Sequence, residues 1–126
     1  MQNYNEKFKD RDIKIRAYKY ALAVIRLIDK LARESTCQVM GRQLLRSATS
    51  IGANIMEAQA SSSRREFTNF INHALKSANE SKFWIGLLKD SGRAQHDDIA
   101  EIYQETRELS NILGASLLTL RGKRKF

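Results

Sequence analysis

The sequence contains no proline and only six glycines among 126 residues. Because all-β folds need these residues in turns and at edge strands, their scarcity argues against a β-sheet architecture. The length suits one compact domain, and 42% hydrophobic with 29% charged residues is a globular balance. The sequence therefore predicts a single all-α domain that spans residues 1–126.

Four amphipathic segments follow one another, each with apolar residues at steps of three and four. We place helices at about residues 11–34, 38–60, 64–91 and 97–121, joined by short loops. Such helices predict an up-down-up-down antiparallel four-helix bundle. The expected core residues are Ile13, Ala17, Tyr20, Val24, Leu27, Ile28 and Leu31; Leu44 or Leu45, Ala48, Ile51, Ile55 and Ala58; Phe67, Phe70, Ile71, Ala74, Ala78, Ser81, Ile85 and Leu88; and Ile99, Ile102, Thr106, Leu109, Leu113, Ser116 and Leu120.

Capping patterns divide the helical segments. Ser35, with a glutamine three residues later, is expected to cap the second helix, and Ser63 with Glu66 forms a capping box for the third. Gly92 is typical of a helix C-terminus and predicts the end of the third helix.

The net charge of +8 is concentrated in three segments: residues 1–19 contribute +3, residues 64–66 contribute +1 and residues 121–126 contribute +4. In the predicted topology these segments lie at one end, so we expect a basic end and a neutral far end near Asp97 and Asp98. The candidate nucleic-acid-binding residues are Lys7, Lys9, Arg11, Lys14, Arg16, Lys19, Arg64, Arg65, Arg121, Lys123, Arg124 and Lys125.

A basic end points to RNA or DNA as a partner, bound through its phosphates. Aromatic residues interleave with these bases and are candidates for stacking on nucleobases: Tyr4, Phe8, Tyr18 and Phe126. Charge runs are also common at merely solvated ends. A protein-interaction scaffold is therefore the alternative hypothesis.

The histidines, the cysteine and the glycines of the sequence do not form a recognisable catalytic, metal-binding or nucleotide-binding pattern. A di-iron site in a helical bundle needs Glu-x-x-His, but Phe70 and Arg93 stand three residues before His73 and His96. Cys37 lies in a predicted loop without a nucleophile motif. No glycine spacing matches a nucleotide-binding loop. We predict no enzyme, no cofactor and no metal.

Several polar or aromatic residues lie beside the predicted stripes. We interpret Asn54, Glu57, Glu80 and Trp84 as structural or interface residues, either fixing helix register or contacting another protomer. An enzymatic alternative would require Glu57 or Glu80 as an acid or base. The wide apolar stripes of the second and third helices further predict a homo-oligomer.

The sequence has no uninterrupted apolar run of about 20 residues, so no membrane partner is expected. Its start is polar and it has one cysteine, which rules out an intramolecular disulfide. These features predict a cytoplasmic protein.

The segment of residues 43–92 resembles the 23S rRNA intervening-sequence proteins, a bacterial family of four-helix bundles. The resemblance covers about 50 residues by motif and nearly the whole chain by helix length and pattern. The residues that carry it are Gln43, Ser50, Ile51, Ala53, Asn54, Ile55, Glu57, Ala58, Ser63, Glu66, Phe67, Ala74, Leu75, Lys76, Glu80, Ser81, Trp84, Leu87 and Leu88.

This resemblance implies an antiparallel bundle that assembles into a ring, commonly a homopentamer, with no established enzymatic activity. A similar branch, the accessory variability determinant proteins of diversity-generating retroelements, binds nucleic acid and a reverse transcriptase. Gly52 and Ala58 stand where members often have proline and glycine. These departures favour an intervening-sequence protein over the retroelement branch.

Overall fold

The computed structural model describes residues 8–122, which form four α-helices in chain order. The helices are α1 (Ile13–Asp29), α2 (Ser35–Gln59), α3 (Arg64–Asp90) and α4 (His96–Gly122). The all-α prediction is confirmed. No helix in this part of the chain is long and apolar enough to span a membrane.

Each helix runs antiparallel to the next, because rising residue numbers on one helix pair with falling numbers on its neighbour. The predicted up-down-up-down arrangement is therefore the observed one, with α1 closing against α4. The pairs are Ala17 with Gly52 and Ile28 with Gly41 for α1–α2, Ser47 with Ser81 and Ser50 with Ser77 for α2–α3, Asn79 with Ser110 and Arg64 with Leu120 for α3–α4, and Arg16 with Glu105 and Lys30 with Asp98 for α1–α4.

The predicted stripes of α1, α2 and α3 supply the core, in which Tyr20, Leu44, Ile51 and Ile85 are fully buried. Burying the side chain of each of the three aliphatic residues among them contributes roughly 1.5–3 kcal/mol to folding. Phe67 and Phe70 of α3 pack against this core only partly buried.

The stripe of α4 departs from the predicted heptad pattern in its last turns. Leu117 is buried, whereas Ser116 and Leu120 are only half-buried. Since α1 begins at Ile13, α4 continues for about three turns beyond the start of α1. Those turns pack without α1, so the buried side of α4 rotates toward α3.

The beginning of α2 corrects one capping prediction. Glu34, not Ser35, is the N-cap, because the Glu34 carbonyl accepts the first helical bond from the Gln38 amide at 3.0 Å. The Glu34 carboxylate accepts a 2.8 Å hydrogen bond from Arg93, which ties the α1–α2 loop to the α3–α4 connection. Cys37 is consequently in the first turn of α2 and buried, not in a loop.

The other helix ends follow the expected chemistry. The Ser63 hydroxyl accepts from the Glu66 amide at 3.0 Å, and the Glu66 carboxylate accepts from the Ser62 amide at 3.1 Å. Gly92 has a φ of 71°, the left-handed conformation that favours glycine after a helix. α1 is shorter than predicted and begins after Asp12, whose carboxylate accepts from the Lys14 amide.

The segment that precedes α1 folds back along it. Phe8 is 2% exposed and lines a cavity shared with Ala23 and Arg26, about three to four turns into α1. Asp10 lies 3.7 Å from the ammonium of Lys19. The expectation that the N-terminal bases project from the basic end is thus wrong for Lys9, because the chain reverses direction before α1.

Candidate nucleic-acid interface

One end of the bundle gathers the start of α1, the end of α2, the start of α3 and the end of α4. We call it the basic end and define it by Arg11, Lys14, Arg64, Arg65 and Arg121. All except the half-buried Lys14 are exposed. The topology therefore brings together bases that are far apart in the sequence.

Arg16 is a correction to the predicted nucleic-acid-binding set. Its side chain is buried, and its Nε and Nη2 donate to the two oxygens of Glu105 at 2.6 and 2.8 Å. Nη2 also donates to Glu108 at 2.9 Å. A guanidinium held inside the bundle by two carboxylates cannot face a phosphate. Arg16 instead joins α1 to α4.

The electrostatics of this pair follow from its position. The hydrogen bonds to Glu105 hold the pKa of Arg16 above its ordinary value. Burial raises the pKa of Glu105, and the bonds from Arg16 act in the opposite direction. The sequence indicates that Glu105 is buried, because it lies between Ile102 and Leu109 on the apolar stripe of α4. A buried carboxylate needs a cationic partner.

Arg64 has a structural bond that the sequence analysis missed. Its Nη2 donates to the carbonyl oxygen of Leu120 at 2.9 Å, so it satisfies one of the free carbonyls at the end of α4. A cation at a helix C-terminus is also favoured by the helix dipole. Arg64 thus fixes the end of α4 against the start of α3.

The remaining predicted bases lie at different places. Lys19 is exposed on the side of α1, near Asp10, and Lys9 is exposed on the folded-back segment. The predictions for Lys7, Lys123, Arg124 and Lys125 fall outside the described residues, as do those for Tyr4 and Phe126.

Charges at the far end occur largely in pairs. Each pair places an acid beside a base or a histidine, so their fields partly cancel. The pairs are Lys30 with Asp98 at 3.0 Å, Arg93 with Glu34 at 2.8 Å, Lys89 with Asp90 at 3.9 Å and His96 with Asp97 at 3.6 Å.

The structure separates two of the aromatic candidates for base stacking. Phe8 is buried and is therefore part of the core. The side chain of Tyr18 is 67% exposed on α1, one turn after Lys14. Of these two, only Tyr18 presents a ring face to solvent.

The predicted structural residue Asn54 bonds within its own helix. Its amide nitrogen donates to the carbonyl and hydroxyl oxygens of Ser50 at 2.9 and 3.0 Å. Ser50 in turn accepts from Ser77 of α3 at 3.0 Å. Glu57 is exposed and has no hydrogen bond or ion pair within residues 8–122. An interface role for Glu57 stays a prediction.

Glu80 and Trp84 form a network on the outer side of α2 and α3. The indole nitrogen of Trp84 donates to Glu80 at 2.9 Å, and Arg46 of α2 donates to the same carboxylate oxygen. The bond from Trp84, followed by that from Arg46, lowers the pKa of Glu80. Phe83 packs edge-to-face on Trp84 with ring centroids 5.0 Å apart.

A buried hydroxyl layer connects all four helices. The Tyr20 and Thr106 hydroxyls lie 2.6 Å apart, and those of Ser47 and Ser81 lie 2.9 Å apart. Ser81 also interacts with the Tyr20 hydroxyl, and burial raises the pKa of Tyr20 above its ordinary value. Satisfied polar layers of this kind favour one helix register over others.

The potential ligands of a metal are scattered in the described structure. No group of three or more His, Cys, Asp or Glu side chains within residues 8–122 is arranged to hold an ion. His73 and His96 are both exposed.

Comparisons with known proteins agree on one relationship. The family model of the 23S rRNA-intervening sequence protein matches residues 9–115. A 1.70 Å crystal structure of a protein of unknown function from Bacteroides thetaiotaomicron, of the S23 ribosomal protein family, is 35% identical with a TM-score of 0.78. That alignment covers 84% of this chain and 98% of the other. Among curated proteins, none matches the sequence significantly.

Proposed function

The chain belongs to the 23S rRNA-intervening sequence protein family, and we propose that it is a non-enzymatic, oligomeric bundle that binds RNA or other nucleic acid through its basic end. The proposal concerns phosphate recognition without a chemical step. The family name supports RNA as the first ligand to test.

The observation that carries this proposal is the difference between the two ends. Arg11, Arg65 and Arg121 are exposed and have no acidic partner within residues 8–122. Residues 121–126 add four bases and no acid. At the far end, by contrast, several bases already have acidic partners. Unpaired bases attract phosphates and release counterions when they bind them.

The start of α3 supports the same end as the anion site. Its first helical residues are Arg64 and Arg65, and the N-terminus of a helix carries partial positive charge. The partial negative charge at the C-terminus of α4 is offset by Arg64, whose guanidinium donates a hydrogen bond to the Leu120 carbonyl. Both effects increase the positive potential that an approaching phosphate meets.

Apolar side chains that remain exposed support assembly into a homo-oligomer. The family resemblance implies a ring of five chains. Phe83 and Leu87 on α3 are 58% and 40% exposed, and Leu118 on α4 is 74% exposed. They lie on different sides of the bundle, and contacts between unlike surfaces generate closed rings when the rotation permits. A ring would repeat the basic end on one face.

A protein-interaction scaffold is the second candidate. The paired aromatic rings of Phe83 and Trp84, next to Arg46, have the composition of an interaction hot spot. In this alternative the basic residues would serve solubility, and binding to nucleic acid would be weak and independent of them.

The test compares charge reversals at the two ends. Arg65→Glu with Arg121→Glu changes the basic end by four charges, and Arg33→Glu with Arg107→Glu makes the same change elsewhere. All four side chains are exposed. We expect fluorescence anisotropy with labelled RNA to show at least about tenfold weaker binding for the first pair and a smaller loss for the second. Equal losses would contradict a localised site.

A further inference from the structure

The outer face between α1 and α2 contains no acidic residue along most of its length. Residues 13–28 and 35–56 include no Asp or Glu, although the chain has 14 acids in total. Apart from the buried Glu105, the neighbouring helix α4 carries four acids, among them Asp97 and Glu101. The absence of carboxylates on one face removes the main repulsion that a polyanion would meet there.

Small residues allow α1 and α2 to approach closely, so the groove between the two helices is shallow. A Cβ atom added at Gly52 would lie 3.5 Å from the Cβ of Ala17, so the backbones of α1 and α2 approach closely at this point. Tyr18 follows Ala17 and turns outward on the α2 side, where its ring is 67% exposed. Thr49 and Ala53 on α2 are small neighbours of Gly52. The exposed ring of Tyr18 therefore lies beside a shallow groove, where a second planar group has room to stack on it.

Bases lead from the basic end to this ring. Lys14 and Tyr18 are four residues apart and therefore lie along one side of α1, and Arg11 is exposed just before this helix begins. On α2, Arg42 lies beyond the ring, next to the Gly41 that contacts Ile28, and it is exposed with no ion pair within residues 8–122. The row therefore continues the basic end along the bundle.

The same face also exposes apolar surface. It holds four of the nine large apolar side chains that are exposed in the described residues. Nucleobases, unlike phosphates, can cover such surface by stacking and van der Waals contact. The four are Tyr18, Ile25, Leu45 and Met56.

We propose that the α1–α2 face binds single-stranded nucleic acid, with Tyr18 stacked on one base and Arg11 and Lys14 on the flanking phosphates. Stacking requires an open base face, which a continuous duplex does not offer. This inference rests on the proposed function and specifies its ligand as an unpaired strand. The combination of acid-free surface, bases and an exposed ring favours this ligand over a second copy of the chain.

The test uses Tyr18→Leu, which keeps an apolar side chain but removes the ring, and Tyr18→Phe, which keeps the ring. Phe83→Leu is the matched control, because Phe83 is a similarly exposed aromatic residue on α3. Each full-length variant is titrated against a labelled single-stranded RNA and a duplex of the same sequence. Circular dichroism and light scattering record the fold and the mass.

We expect Tyr18→Leu to weaken single-strand binding about tenfold while duplex binding changes less than about twofold. Tyr18→Phe should bind as the wild type does, and Phe83→Leu should keep the wild-type ratio between the two ligands. Unchanged single-strand binding by Tyr18→Leu would overturn this inference and leave the proposed function standing. A changed mass with parallel loss on both ligands would assign the face to assembly and overturn it as well. No binding of either ligand by the wild type would contradict the proposed function itself.

Discussion

Arg16 of α1 and Glu105 of α4 form a two-pronged ion pair inside the bundle, with nitrogen-to-oxygen distances of 2.6 and 2.8 Å. The Glu105 side chain has no exposed surface. This pair closes the bundle between its first and last helices. It also removes one arginine from the surface that is available to nucleic acid.

We predict that Arg16→Met destabilises the fold by about 3 kcal/mol, because it leaves the Glu105 carboxylate buried without its cation. Chemical denaturation followed by circular dichroism measures this. The double variant Arg16→Met with Glu105→Met should regain most of the loss, since it leaves no buried charge at position 105. If the free energy of unfolding of Arg16→Met lies within about 0.5 kcal/mol of the wild-type value, the ion pair does not stabilise the fold and the prediction is wrong.

The hydroxyl layer predicts a smaller effect for Tyr20→Phe. Removal of the Tyr20 hydroxyl deletes its bond to Thr106 but leaves the ring in the core, so we expect a loss of about 1 kcal/mol in the free energy of unfolding. Tyr18→Phe is the matched control, because that hydroxyl is on the surface. Equal effects of the two variants would contradict a specific role for the buried layer.

The lowered pKa of Glu80 predicts an acid-sensitive contact that Trp84, the one tryptophan in the chain, can report. A carboxyl group whose pKa is depressed by folding stabilises the native state above its unfolded pKa, and this stabilisation is lost as the pH falls through the folded pKa. Trp84 fluorescence should therefore change with a midpoint below 4.5, the ordinary value for glutamate. Glu80→Gln should remove this transition. A midpoint above 4.5 in the wild type would contradict the assignment.

The exposed apolar residues of α3 predict self-association. Light scattering after size exclusion should give a multiple of the 14.5 kDa chain mass at micromolar concentration. Leu87→Glu should reduce the mass, because it places a charge in the apolar contact, whereas Asn69→Glu adds the same charge to an exposed polar position of α3. A wild-type mass of 14.5 kDa would contradict the oligomer.

Helical periodicity predicted most of the fold because the core of this bundle is apolar and its stripes are regular. It missed Arg16, since periodicity alone assigns a charged residue to solvent and cannot supply the partner 89 positions away. Glu105 on the stripe of α4 was the available signal.

Long-range geometry accounts for the other differences. The chain reversal that buries Phe8 depends on a cavity beside Ala23 of α1, which no local pattern encodes. The shift from Ser116 to Leu117 on α4 depends on where α1 begins. The candidate site was predictable as a concentration of charge, but the burial of Arg16 and the exposure of Tyr18 required the packed structure.

The central claim is that phosphates are bound at the basic end, and the salt dependence of binding with and without residues 121–126 tests it most directly. The deletion removes four positive charges from every chain and keeps Leu120, whose carbonyl accepts from Arg64. With duplex probes, we predict that the slope of log affinity against log salt falls in magnitude by up to about 0.9 for each lost phosphate contact. Wild-type protein that does not bind at low salt, or a truncated protein that binds with an unchanged slope, would contradict the account.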